Sequence, residues 1–184
     1  MNYVLSALII TFIIPAFGIV MGMLRKIIYR IMAVISPGFA FVVANYLTFP
    51  GVMHHELSHA FWGFITGAKI KKINLFKPNG MSLGNVQMVY RGPWLFRCIQ
   101  GCMSAIAPVA MGIVTCTLVY IYLLPTLTGG SATVLIYYLL FSIIMHMTMS
   151  PSDMICFLKG VVGVYILVLL VCILGNFNLM QYLR

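Results

Sequence analysis

Long apolar runs alternate along this chain with short polar or basic stretches. The runs cover approximately residues 1–23, 37–66, 95–124, 132–147 and 155–174. A helix of about 20 apolar residues is long enough to cross the hydrocarbon core of a bilayer. The pattern therefore predicts an all-α polytopic membrane protein with about five transmembrane helices. We expect these helices to form a single domain over residues 1–184.

The second apolar run is interrupted by Pro50-Gly51. A straight helix of ~30 residues would be ~45 Å long and would exceed the ~30 Å hydrocarbon core. We therefore expect one kinked crossing over residues 37–66, with its end protruding from the core. The alternative is a separate span over residues 32–49, followed by a turn at Pro50-Gly51.

Between the second and third runs the pattern becomes strand-like. Two such stretches, residues 69–76 and 81–90, flank Pro78-Asn79-Gly80. Asn-Gly between two strand-like stretches is typical of a β-hairpin. We expect a small hairpin at the membrane surface, where a free strand edge can pair with an unwound peptide. A purely structural loop is the alternative.

The composition is that of a membrane protein. Hydrophobic residues make up 62% of the chain and charged residues 7%, and the mean hydropathy is +1.08. An ordinary soluble domain carries about 25% charged residues. The formal net charge is +9, and six of the 11 basic residues lie between positions 69 and 97. This basic cluster predicts a cytoplasmic surface next to anionic lipids, and no motif indicates nucleic acid binding.

The cysteines and the N-terminus add little to this picture. The five cysteines form no C-x-x-C pair and lie in or beside apolar runs, which is typical of small buried hydrophobic residues. Residues 1–19 have no basic start and no clear cleavage site, so we do not expect a cleaved signal peptide.

The polar chemistry is confined to two short windows. The chain has only two acidic residues, Glu56 and Asp153, and its four histidines are His54, His55, His59 and His146. Ionisable groups at membrane depth are costly and usually functional. The windows around residues 54–59 and 146–153 are therefore the candidate functional site.

The first window reads His-Glu-Leu-Ser-His over residues 55–59. Residues four apart lie on one face of a helix, so His55 and His59 can offer two imidazoles to one ion. Glu56 lies about 100° round the helix, where it can act as general base on a water activated by the metal. His54 either assists this chemistry or is only a neighbour. The spacing predicts a zinc site with a position left open for water.

The second window leaves the third metal ligand open. Asp153 can be that ligand, or Ser152 and Asp153 can simply cap the last helix. His146 is another possible ligand, or a packed polar residue that faces a neighbouring helix.

The first window and the stretch that follows it, Ile65 to Phe76, resemble the catalytic segment of the site-2 proteases, which are intramembrane zinc metalloproteases. The small-residue stretch with Ala107-Pro108 is similar to the small-residue helix of that family. Pro151 and Asp153 fall where the family has its third zinc ligand, an aspartate. Thr148 stands where the family has asparagine, and no glycine follows Asp153.

The resemblance implies a zinc metalloendopeptidase that cleaves transmembrane or membrane-bound peptides, with Glu56 as general base and His55, His59 and Asp153 as ligands. Two neutral imidazoles favour an anionic third ligand, and Asp153 is the carboxylate left once Glu56 acts as base. The alternatives are a non-proteolytic membrane protein, such as an inactive relative, a metal or ion transporter or a complex subunit, and an enzyme that processes a small secreted peptide. We expect a multi-pass protein of a bacterial cell membrane, and the sequence indicates no oligomeric state.

The basic cluster and the two windows together predict a topology. With a cytoplasmic N-terminus, residues 23–36 lie outside, where Arg25, Lys26 and Arg30 act as interfacial anchors. The hairpin and Asp153 are then cytoplasmic, and residue 184 lies outside. The alternative span over residues 32–49 reverses the N-terminus and moves His55 away from the level of Asp153.

Overall fold

The structure, a computed structural model, describes residues 2–76, 83–127 and 129–182. The helices, in chain order, are α1 (Asn2–Ile35), α2 (Pro37–Val42), α3 (Phe49–Ile65), α4 (Trp94–Leu118), α5 (Ser131–His146) and α6 (Pro151–Leu174). Two strands, β1 (Lys69–Asn74) and β2 (Asn85–Val89), lie between α3 and α4. π-Helical turns at Val43–Leu47 and Val119–Leu123 extend α2 and α4, and 3-10 turns occupy Leu124–Thr126 and Leu179–Gln181. The prediction of a helical protein with one small sheet is confirmed.

Among the described residues, three helical segments are long and apolar enough to cross a membrane. They are Asn2–Ile35, Trp94–Thr126 and Pro151–Leu174. The segments Pro37–Leu47 and Ser131–His146 are apolar but shorter. These features fit a membrane protein, as the composition predicts.

The first helix is longer than the apolar run that predicts it. We expected it to end near residue 23, but α1 continues through Arg25, Lys26 and Arg30 to Ile35. Residues 24–35 contain neither proline nor glycine, so nothing in this stretch ends a helix. The helix ends where Pro37 forces the preceding residue, Ser36, into an extended conformation with φ −154° and ψ 107°.

The second apolar run forms two helical pieces that meet at Thr48. The interruption therefore lies just before the expected position, because Pro50 and Gly51 belong to the first turn of α3. Proline is well tolerated there, since the first N–H groups of a helix have no intrahelical partner. Residues 32–49, the alternative span, do not form one continuous helix, because Ser36 separates α1 from α2 inside this range.

The two expected strands are present and pair antiparallel. Lys69 lies opposite Val89 and Asn74 lies opposite Asn85, with a β-bulge between Ile70 and Lys72. The expected turn at residues 78–80 lies outside the described residues. The strand β2 packs closely on α3, because a Cβ atom at Gly63 would lie 3.0 Å from the sulfur of Met88.

The directions of the helices follow from the residues that touch. Helices α3 and α4 are antiparallel, as the pairs His54–Thr115 and Thr66–Gln100 show. Helix α5 runs in the same direction as α3, as the pairs Ser142–Gly51 and His146–His55 show. Helix α6 is antiparallel to α4, as the close approaches Gly101–Cys156 and Gly160–Cys98 show.

Helices α5 and α6 therefore run in the same direction, and only residues 147–150 separate them. Helix α1 is antiparallel to α6, because Tyr3 bonds Asn176 at one end and Met149 donates to the Gly18 carbonyl near the other. We expected α5 and α6 to be two successive crossings of opposite direction. Instead the two helices follow one another in the same direction, with an interruption at residues 147–150; together they are the α5–α6 path.

Small residues allow the helices to approach closely around α4. A Cβ atom at Gly160 would lie 2.8 Å from the Cys98 carbonyl oxygen, and one at Gly163 would lie 3.0 Å from the Trp94 ring. All five cysteines are free, with three fully buried and two partly buried, in line with their expected packing role.

Candidate metal centre

The two predicted histidine ligands lie one helical turn apart on α3 and face each other. The Nε2 atoms of His55 and His59 are 3.1 Å apart. The ring centroids are 4.7 Å apart and the rings are nearly perpendicular. The spacing of the two residues thus produces the expected convergence of two ring nitrogens.

Main-chain carbonyls set the orientation of both rings. His55 Nδ1 lies 2.9 Å from the His146 carbonyl oxygen, and His59 Nδ1 lies 2.7 Å from the Ser104 carbonyl oxygen. A carbonyl can only accept a hydrogen bond, so each Nδ1 must carry the proton and donate it. In the neutral rings, each Nε2 then presents a lone pair. Two lone pairs at this distance repel each other unless a cation lies between them.

Both carbonyls are available for a physical reason. In a regular helix the carbonyl of residue 104 would accept from the N–H of residue 108, but Pro108 has no N–H. The Ser104 carbonyl is therefore free to hold His59. His146 is the last residue of α5, where carbonyls lack intrahelical partners.

Asp153 completes the group from the first turn of α6. Its Oδ1 lies 3.4 Å from His59 Nε2, and its Oδ2 lies 3.8 Å from His55 Nε2. Oδ2 also accepts a 2.9 Å hydrogen bond from the Ser150 N–H, while Ser150 Oγ accepts from the Asp153 N–H. This is a capping box. Asp153 therefore caps its helix and faces the histidines at once, so the two expected roles do not exclude each other.

His55, His59 and Asp153 bring three ligand atoms within 4.8 Å of one another, and this group could hold a metal ion. A pair of imidazoles and a carboxylate is a donor set that divalent transition metals accept. The ring of His146 lines the same cavity, but it is not part of the group whose ligand atoms converge. His54 contacts Thr115 on α4 at 3.0 Å. Neither alternative role, His146 as ligand or His54 as assistant, has support in these contacts.

Glu56 is buried beside the metal group, with 8% of its surface exposed. It lines the same cavity as the three ligands. The chain segment that leads into β2 passes close to it, because a Cβ atom at Gly84 would lie 2.5 Å from Glu56 Cγ. Only glycine leaves room for the carboxylate there.

The metal group opens into a cavity of about 750 Å³. Residues 83–88 of the β2 segment form one wall, and Thr148, Ser150–Asp153 and Cys156 contribute to another. Tyr90 also lines the cavity, and its hydroxyl lies 3.0 Å from the Cys156 sulfur. Burial raises the pKa of Tyr90, so its hydroxyl keeps its proton at neutral pH.

Arg25 lines the cavity as well, which corrects its predicted role as an interfacial anchor. Arg25 lies on the inward-facing side of α1. The residues of this side recur every three or four positions, in the series Ala7, Thr11, Pro15, Gly18, Gly22 and Arg25. That series is readable in the sequence, and it places Arg25 on the inner face. The other two basic residues of α1, Lys26 and Arg30, are exposed.

The chain matches no family model, no curated protein and no solved structure.

Proposed function

We propose that this protein is an intramembrane zinc metallopeptidase of the site-2 protease type. The observation that supports it most is the convergence of two imidazole nitrogens and one carboxylate, with Glu56 on the same cavity wall. These are the only two carboxylates in the chain, and both lie at the cavity. Glu56 and Asp153 are far apart in the sequence, and two functionally unrelated acidic residues would not be expected to line the same cavity.

The donor set suits zinc. Zinc accepts histidine nitrogen and aspartate oxygen, and catalytic sites use three protein ligands with one position open. Each ligand here has a partner that fixes its orientation, which is the arrangement that strengthens metal binding. The chemistry of the residues therefore fits a catalytic zinc site.

Zinc, when bound, supplies a Lewis acid that makes water nucleophilic near neutral pH. Glu56 accepts the proton as the water oxygen attacks the peptide carbonyl carbon. As the carbon–nitrogen bond breaks, Glu56 returns that proton to the departing amine. The products are a new carboxylate and a new amine, so one water is consumed for each bond cleaved.

The substrate we propose is a transmembrane or membrane-bound segment in an extended conformation. The cavity lies among apolar helices, and β2 borders it along residues 83–88. A peptide that has lost its helical hydrogen bonds can regain them by pairing with a strand edge. This pairing would place successive carbonyls of the peptide next to the metal group.

We further propose four membrane crossings in place of the five first expected. The crossings are α1, the kinked α2–α3 helix, α4, and the interrupted α5–α6 path, because these four run in alternating directions. The N-terminus, the basic hairpin and the C-terminal tail then share one side, and the clustered basic charge favours the cytoplasm for that side. The metal group lies at the break in the fourth crossing, away from both surfaces.

The test combines metal analysis with cleavage. The purified protein in lipid nanodiscs is incubated with a panel of model transmembrane peptides, and products are identified by mass spectrometry. We expect wild-type protein to bind one zinc and to cleave at least one peptide. Glu56→Gln should keep zinc and fold but cleave about 10²–10⁴-fold more slowly, because the amide cannot accept the proton.

Near-normal cleavage by Glu56→Gln would contradict the mechanism. A wild-type protein that binds zinc but cleaves no peptide of the panel would favour the non-proteolytic alternative. Asp153→Ala, analysed for zinc beside the wild type, shows whether the carboxylate contributes to binding.

A further inference from the structure

Arg25 places a positive charge in the cavity that the metal group occupies. It lies on the inner face of α1, past Gly18 and Gly22, where α1 packs on residues 148–149. Its side chain lines the same cavity as His55 and His146. Arg25 therefore faces the same cavity as the metal group.

Among the described residues, Arg25 has no acidic partner. The chain has only two acidic residues, Glu56 and Asp153, and within the described residues the only ion-pair contacts join Asp153 to the two histidines. A charged side chain inside a bundle of apolar helices is costly and is normally paired or functional. Since no protein carboxylate neutralises Arg25, the natural partner is an anion that enters the cavity.

The proposed reaction creates such an anion. The peptide carbonyl oxygen gains negative charge as water attacks, and the acyl product carries a carboxylate. A guanidinium offers parallel N–H donors that match the two oxygens of a carboxylate. We propose that Arg25 binds the negative charge that develops on the acyl side of the cleaved bond, first the oxyanion and then the product carboxylate. This inference rests on the proposed peptidase function.

The first test measures binding rather than cleavage, with Glu56→Gln as the background. The probes are acetyl-leucyl-leucine and the same dipeptide with a C-terminal amide, which differ only in the anionic group. We expect the carboxylate to bind about 10- to 100-fold more tightly than the amide, as charge-assisted hydrogen bonds do. Arg25→Gln should remove most of this preference while zinc content stays at the wild-type level.

The matched control is Arg30→Gln, because Arg30 lies on the same helix but is exposed. It should retain the full preference for the carboxylate. If Arg25→Gln retains it as well, the proposal is overturned. If Arg25→Gln does not fold, Arg25→Lys decides: a preference lowered several-fold supports the proposal, because lysine cannot make the bidentate contact, and an unchanged preference overturns it.

The second test uses any model peptide that the wild-type protein cleaves. Arg25→Gln should lower kcat about 10²-fold with little change in KM, because the contact strengthens only as charge develops. An equal rise in KM at unchanged kcat would contradict a role in the transition state. The binding result does not depend on cleavage, so failure of the peptidase proposal and failure of this inference give different outcomes.

Discussion

We expect the substitution Pro108→Ala to weaken zinc binding while it leaves the stability of the fold nearly unchanged. The substitution gives residue 108 an N–H, and a regular helix would direct it to the Ser104 carbonyl. That carbonyl is the acceptor that holds His59 Nδ1 at 2.7 Å. The new N–H therefore competes with His59 for the oxygen that orients this ring.

The expected change in fold stability is small. Proline inside a helix costs about 3 kcal/mol relative to alanine, which favours the variant. Pro108 is among the most fully buried side chains, and loss of two ring carbons costs about 2 kcal/mol in burial and packing. The zinc-free variant should therefore unfold within about 1 kcal/mol of the wild type.

The expected change in zinc affinity is larger. Loss of a group that orients a metal-binding histidine typically weakens metal binding about 10- to 100-fold. That corresponds to about 1.4–2.7 kcal/mol of binding free energy. A carbonyl oxygen has two lone pairs and can accept two hydrogen bonds, so we expect the lower part of this range.

Zinc affinity is measured by titration against a chromophoric chelator in detergent, and stability by thermal unfolding of the zinc-free protein. Pro15→Ala is the matched control, because Pro15 is also buried inside a helix but does not line the cavity. It should gain the helical N–H without any loss of zinc affinity. Equal zinc affinity in Pro108→Ala, Pro15→Ala and wild type would refute the reasoning.

Two further predictions concern the ligands and the topology. The double variant His55→Ala, His59→Ala should lose its zinc by elemental analysis, and zinc retained at one per chain would rule out these residues as the ligands. In a cysteine-free background, single cysteines at Tyr182 and position 79 should be labelled from the same side of the membrane, and one at Ile35 from the opposite side. Labelling of Tyr182 and Ile35 positions from one side would instead support five crossings.

The sequence predicts the contents of the site well because local spacing determines them. His55, Glu56 and His59 lie within five residues of one helix, so their relative placement follows from helix geometry alone. The approach of Asp153 joins segments almost a hundred residues apart, and no spacing rule predicts it. It follows instead from the scarcity of acidic groups and from the resemblance.

The sequence contains signals for two further features of the site, but each signal also has a more common interpretation. A basic residue after an apolar run is typical of an interfacial anchor, and this pattern predicts Arg25 at the surface. Its helical spacing from Gly18 and Gly22 instead indicates the inner face of α1. Likewise, Pro108 four residues after Ser104 indicates a carbonyl without a helical partner. The direction of α6 was beyond sequence reasoning, because residues 147–150 can join two helices in either direction.

The groups that orient the candidate metal ligands all belong to the main chain, and each lies where a helix is interrupted, ends or begins. His59 uses a carbonyl that Pro108 leaves without a partner, His55 uses the last carbonyl of α5, and Asp153 uses an N–H at the start of α6. Metal sites in water-soluble proteins commonly use carboxylate side chains to orient their histidine ligands. Each such carboxylate would add a charge, which is costly among apolar helices. Main-chain groups provide the same orientation without any added charge. A chain with only two acidic residues can therefore build a fully supported three-ligand site, provided that its helices break at the level of the metal.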